Sequence, residues 1–102
     1  MLIHVTSARY LGEYQFEVTF SDNRHGIVDL RNSLDGPVFE PLADLDFFAR
    51  GGLDRELGTL VWPNGADLAP EYLYFLAFRG ERELTDLFQE WGYLQRQPAL
   101  SS

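Results

Sequence analysis

Glu13-Tyr14-Gln15-Phe16-Glu17-Val18-Thr19-Phe20-Ser21 is the stretch on which the fold turns. Tyr14, Phe16, Val18 and Phe20 alternate with Glu13, Gln15, Glu17, Thr19 and Ser21. Such period-two alternation marks a β-strand with one dry and one wet face, so a strand is predicted over 13–21. Upstream, residues 2–10 are rich in Ile3, Val5 and Thr6, and Leu11-Gly12 reads as a short connection, so the first two strands should form an antiparallel hairpin. Downstream, Ser21-Asp22-Asn23-Arg24-His25-Gly26 is turn chemistry, longer than a tight Asp-Gly tip, and Ile27-Val28-Asp29-Leu30 supplies a third strand. The first thirty residues read as a β-meander.

Beyond it, Asn32-Ser33-Leu34-Asp35-Gly36-Pro37 breaks regular structure, and Val38-Phe39-Glu40-Pro41-Leu42 resumes as a short extended or irregular segment. Asp44 is a fitting N-cap for a helix of about two turns, with Leu45, Phe47 and Phe48 as its apolar face and Arg50-Gly51-Gly52 as its end. Gly58-Thr59-Leu60-Val61-Trp62 predicts another strand, closed by Pro63-Asn64-Gly65. Pro70 can open a helix, because proline at the first helical position loses no hydrogen bond. The run from Tyr72 to Phe78 has no polar face, so it is buried on most sides or forms an interface, and a strand stays open for 70–79. Leu84, Leu87, Phe88 and Trp91 then fall at helical spacing opposite Glu83, Asp86 and Glu90. The fold class is therefore α+β: an N-terminal antiparallel β-meander plus a later strand, packed by short helices, with an added C-terminal amphipathic helix. One domain is expected over 1–96, with 97–102 a frayed tail.

Composition narrows the function. A chain of 102 residues, 45% of them hydrophobic, can build one useful core but not two. The longest apolar run, Tyr72 to Phe78, is too short to span a membrane, and the N-terminus lacks the basic and apolar regions of an export signal. A cytoplasmic protein without membrane contact is the expectation. The absence of cysteine excludes disulfides, thiolate metal sites and a cysteine nucleophile. All the basic residues are arginines, at 9, 24, 31, 50, 55, 79, 82 and 96, so neither a Schiff-base nor a P-loop lysine exists. A net charge of −8 with scattered arginines shows no phosphate-tracking surface, and direct nucleic-acid binding is not expected.

The stretch Gly58-Thr59-Leu60-Val61-Trp62-Pro63-Asn64-Gly65-Ala66-Asp67-Leu68-Ala69-Pro70-Glu71-Tyr72-Leu73-Tyr74 resembles the signature of a bacterial family catalogued as domain of unknown function 2442. Val18-Thr19-Phe20-Ser21-Asp22, Gly26-Ile27-Val28-Asp29-Leu30, Phe39-Glu40-Pro41-Leu42-Ala43-Asp44 and Phe48 agree with it in order, so the resemblance runs from about residue 3 to 74. It implies a compact α+β fold in bacteria and assigns no catalytic residues. It also implies, through helix-turn-helix or toxin-like partners of some members, a role in regulation or toxin neutralisation. After Gly80 this chain has room for one helix, not for a helix-turn-helix pair.

In the motif itself, Pro63 suits the second position of a turn that Asn64 and Gly65 complete, and Asp67 is placed to cap the helix at Pro70 or to sit near its positive end. Turn chemistry accounts for each residue; a functional reading instead gathers Asn64, Asp67 and Glu71 into a small-ligand patch or carboxylate-based site. His4 and His25 show no metal-ligand spacing, no serine sits in a nucleophile elbow, and no glycines form a phosphate-binding fingerprint. No cofactor or metal is implied, and an enzyme is disfavoured. The aromatic load, 15% of the chain and dense in its last third, is the more informative feature. Either the C-terminal helix folds back over the sheet, or Tyr74, Phe78, Leu84, Leu87, Phe88 and Trp91 face a protein partner or a second copy. The expected function is a small interaction or regulatory module, of which the acidic half of a toxin pair is one form. A ligand binder or carboxylate enzyme is the alternative, and an acidic DNA mimic the third.

Overall fold

The computed structural model describes residues 2–94. Strands β1 (Val5–Gly12), β2 (Gln15–Phe20) and β3 (His25–Asp29) form an antiparallel sheet in the order β1-β2-β3. Phe16, Val18 and Phe20 are each no more than 1% exposed, as their alternation requires. Tyr14, however, is not in the strand. Gly12 pairs with Gln15, so the hairpin loop is Glu13-Tyr14, and both carry positive φ, 51° and 68°. A two-residue loop with this geometry matches the right-handed twist of its strands, yet bulky side chains seldom adopt it. Contacts of Tyr14 offset the strain: its hydroxyl donates to the Ala43 carbonyl, its ring meets Phe48 edge-on at 5.2 Å, and its carbonyl accepts from the Leu30 N–H at 2.9 Å. The expected connection at Leu11-Gly12 thus moves two residues along, because β1 keeps pairing through Gly12.

A crossover follows, through 3-10 turns at Arg31–Ser33 and Glu40–Ala43, to the single-turn helix α1 (Leu45–Phe48). Asp44 caps it as the sequence indicates, accepting from the Asp46 N–H at 3.0 Å. One turn is too little to stand alone, and the fully buried Phe48 holds it. A strand absent from the sequence reading, β4 (Gly52–Asp54), pairs antiparallel with β5 (Thr59–Val61). Their tip is closed by the Asp54 carboxylate, which accepts from Glu56 N–H at 2.9 Å and Leu57 N–H at 3.0 Å. Gly58 stitches this hairpin to the sheet: its carbonyl accepts from the Val5 N–H at 2.7 Å, and a Cβ there would lie 2.8 Å from that of His4.

Residues 70–78 form a helix, α2 (Pro70–Phe78), and not a strand. It needs no polar face because it is covered twice. On one side it crosses β3 at Gly26, where a Cβ would stand only 3.1 Å from the Phe78 ring. On the other, after a 3-10 turn at Arg82–Leu84, α3 (Thr85–Trp91) sets Phe88 against Phe75, centroids 5.2 Å apart. Gly92, left-handed at φ 88°, ends α3, and Tyr93 turns back to stack on Phe75 at 5.2 Å.

The late aromatics therefore mostly build the core. Of the expected interface residues, Tyr74, Phe78, Leu84 and Phe88 are at most 9% exposed and lie in the core, while Leu87 and Trp91 are half-buried. The expected tail at 97–102 lies outside the described residues. Among those described, no helix is long and apolar enough to cross a membrane.

Candidate functional site

The segment from Gly58 to Tyr74 is built as a chain of locks. Trp62 comes first: its indole Nε1 donates to the Phe48 carbonyl at 2.9 Å and lies against Gly51, where a Cβ would come within 2.3 Å of the ring nitrogen. Next, the Gly65 N–H donates to the Trp62 carbonyl at 2.9 Å, closing a turn with Pro63 and Asn64 at its centre. The Asn64 amide is occupied at both ends, accepting from Ala66 N–H at 3.1 Å and donating to the Val38 carbonyl at 2.9 Å. It fastens the crossover to the turn.

The chain then bridges back, Val61 to Asp67, and the buried Thr59 hydroxyl donates to the Leu68 carbonyl. Asp67 does not cap α2. The bridge holds it two residues before the N-cap, Ala69, and no side chain accepts a capping bond there. Between the end of the β4–β5 hairpin and the start of α2 lies an open groove of about 320 Å³, lined by Leu57, Thr59, Asp67, Leu68, Ala69 and Pro70. Its walls are largely apolar, and Asp67 is the one carboxylate among them.

Of Asn64, Asp67 and Glu71, Asp67 alone lines this groove. Asn64 is a structural lock, Asp67 lines the groove, and Glu71 sits in the first turn of α2 toward Tyr93. Burial first, and the Glu71 charge after it, push the Tyr93 phenol up from its usual range. Leu57, Thr59 and Leu68 were missed as site residues. Leu57, 57% exposed at a hairpin tip, carries no local signal, since the hairpin alone brings it beside Pro70.

A second polar constellation is structural. The Tyr74 hydroxyl, in a side chain 1% exposed, donates to Asp22 Oδ2 at 2.7 Å. Burial, then the bond to that carboxylate, push this phenol up to about 12. Ser33 and Tyr72 share a hydroxyl hydrogen bond of 2.6 Å. His4 stands beside Gly58 and His25 opens β3, and among the described residues no group of three or more His, Asp and Glu is placed to hold a metal.

The DUF2442 family, described as protein of unknown function, matches residues 5–79. The chain belongs to this family. No curated protein matches it. Among solved structures, the DUF2442 chain is similar to the crystal structure of a putative DNA-binding protein from Nitrosomonas europaea, with a TM-score of 0.69 and 20% identity over 93% of this chain. The match spans 64% of that protein's length, and at this identity it shows a shared fold. It also corrects one expectation. Direct nucleic-acid contact was set aside on net charge and scattered arginines, yet a protein of this fold is named for DNA binding. Net charge is a property of the whole surface and does not exclude a local contact.

Proposed function

We propose that this DUF2442 chain is a small cytoplasmic bacterial interaction module that receives a basic segment of a protein partner in the groove beside α2. The observation that carries this reading is the groove's make-up: leucine, alanine and proline walls with a single carboxylate, Asp67. Such a surface suits a side chain with an apolar stem and a cationic end, which leaves its charge near the carboxylate. Asp54 and Glu56 on the adjoining hairpin and a net charge of −8 add attraction for a basic partner. The groove is open, which suits a chain segment better than an enclosed small molecule. In its specific form the module is the neutralising half of a toxin pair.

The test is a titration of the isotope-labelled protein with a peptide alternating leucine and arginine, set against its Glu-for-Arg counterpart and a DNA duplex. Amide shifts at Leu57, Asp67 and Leu68 with the basic peptide are expected, weakened roughly fivefold in Asp67→Asn, the scale of an exposed charge pair. Shifts there with both peptides alike, or with neither, would remove the reading. Saturable binding of the duplex would favour the nucleic-acid role named for the structural neighbour.

A further inference from the structure

The free edge of the sheet carries an inference independent of the groove. In the β2–β3 ladder the Phe20 N–H donates to the Arg24 carbonyl and the Leu30 N–H to the Tyr14 carbonyl, each at 2.9 Å, and the register between them is unbroken. Antiparallel hydrogen bonding alternates residue by residue, so Arg24, Gly26, Val28 and Leu30 turn their backbone groups to β2. His25, Ile27 and Asp29 turn theirs outward, and among the described residues none of the backbone bonds made outside the ladders reaches them. Their side chains occupy the open face, where Ile27 is 53% exposed. An unpaired edge with an exposed β-branched residue at its centre, free of proline, lysine or a bulge, is the kind of edge that native proteins normally blunt.

We infer that this edge pairs with the same edge of a second copy, joining two sheets into one across a two-fold axis at Ile27. The occupant follows from charge and symmetry. Antiparallel pairing centred on Ile27 sets Ile27 against the partner's Ile27, and His25 against the partner's Asp29 on either side, each pair exchanging backbone bonds. An apolar contact is thus flanked by two imidazole–carboxylate pairs on the same face. Asp29 keeps its bonds to the Arg31 N–H at 3.0 Å and to Gln15 Nε2 at 3.3 Å, which hold the carboxylate in position. The edge is also less acidic than the chain as a whole, since residues 23–34 carry Arg24 and Arg31 against Asp29 alone within a net charge of −8.

Sedimentation equilibrium of the full chain into the millimolar range should approach twice the 11.7 kDa chain mass. Ile27→Lys should return the single-chain mass with an unchanged circular dichroism spectrum. His25→Asp, which places like charges opposite one another twice, should weaken association on the order of tenfold. Hydrogen exchange supplies a readout that folding defects do not imitate: the amides of His25, Ile27 and Asp29 should gain protection with concentration, whereas those of Gly26 and Val28 are protected throughout. A single-chain mass at every concentration would overturn the inference. So would a dimer indifferent to His25→Asp, or one whose three edge amides exchange freely. Asp67→Asn, in the groove, should leave the mass unchanged, so failure here and failure of the groove reading are separable.

Discussion

Both ends of the core are made of aromatic rings, and they differ in where the polar handles of those rings go. At one end Tyr10, Tyr14, Phe16, Phe48 and Trp62 pack the crossover and the β4–β5 hairpin onto the sheet. Their donors, Trp62 Nε1 and the Tyr14 hydroxyl, go to backbone carbonyls of Phe48 and Ala43. At the other end Phe20, Tyr74, Phe78, Phe88 and Trp91 hold the α2–α3 pair, and there the Tyr74 hydroxyl goes to the carboxylate of Asp22. A backbone carbonyl has no charge to gain or lose. The Trp62 indole N–H does not ionise either, so that fastening is indifferent to pH, while the second end ties two helices to a hairpin tip through the Tyr74 phenol, which does titrate.

The sharpest way to break the first end is Trp62→Ala, which empties a nearly buried site and strands the Phe48 carbonyl. A loss of about 3–5 kcal/mol is expected, read from urea unfolding. Gly51→Ala should reach the same end from the other side at about 1–3 kcal/mol, by pushing the indole away from its acceptor. Neither variant should alter the pH dependence of stability.

At the second end the largest effect is alkaline. The Tyr74 phenol is raised to about 12 from an ordinary 10, so the folded chain holds that proton more tightly than the unfolded chain does. Its contribution is fully present below pH 10 and is lost as pH rises from 10 through 12, in total on the order of 2–3 kcal/mol. Tyr74→Phe should cost about 1–3 kcal/mol at neutral pH, because Asp22 loses a charge-assisted bond, and should remove most of the alkaline slope. Urea midpoints measured from pH 7 to 12 for parent and variant check both. Two parallel curves would show that the phenol does not control that end.

The same contrast explains what the sequence disclosed. Phe16, Val18 and Phe20 bury one face in strict alternation, so the central strand was legible. Tyr14 extended that alternation from a turn, because its ring lies against Phe48 on the side that Phe16 occupies, and period alone does not separate the two cases. β4 has three residues, too few for an alternation to show, and is defined by its pairing with β5. α2 was ambiguous because a helix clad by β3 on one side and α3 on the other has no wet stripe to reveal its period. In the candidate site, the turn at Pro63-Asn64-Gly65 was readable from residue types. The groove was not, since its walls come from a hairpin tip and a helix start that meet only in three dimensions.

Asp22→Asn gives the smallest effect and the finest division of causes. The substituted amide keeps one oxygen for the Arg24 N–H, which Asp22 Oδ1 now binds at 2.9 Å, and its NH2 stands where Oδ2 was, so there it donates to the Tyr74 hydroxyl oxygen instead of accepting from it. What disappears is a charge, together with its ion pair to Arg24 at 3.8 Å, a partly exposed contact of small worth. Stability at pH 7 should therefore change by less than about 1 kcal/mol. The Tyr74 titration, followed by phenolate absorbance, should move down from about 12 but stay above 10, because burial is the larger cause of its shift and remains. A return all the way to 10 would make the Asp22 charge, and not the packing of Phe20, Phe78 and Phe88 around the ring, the force that keeps this phenol protonated.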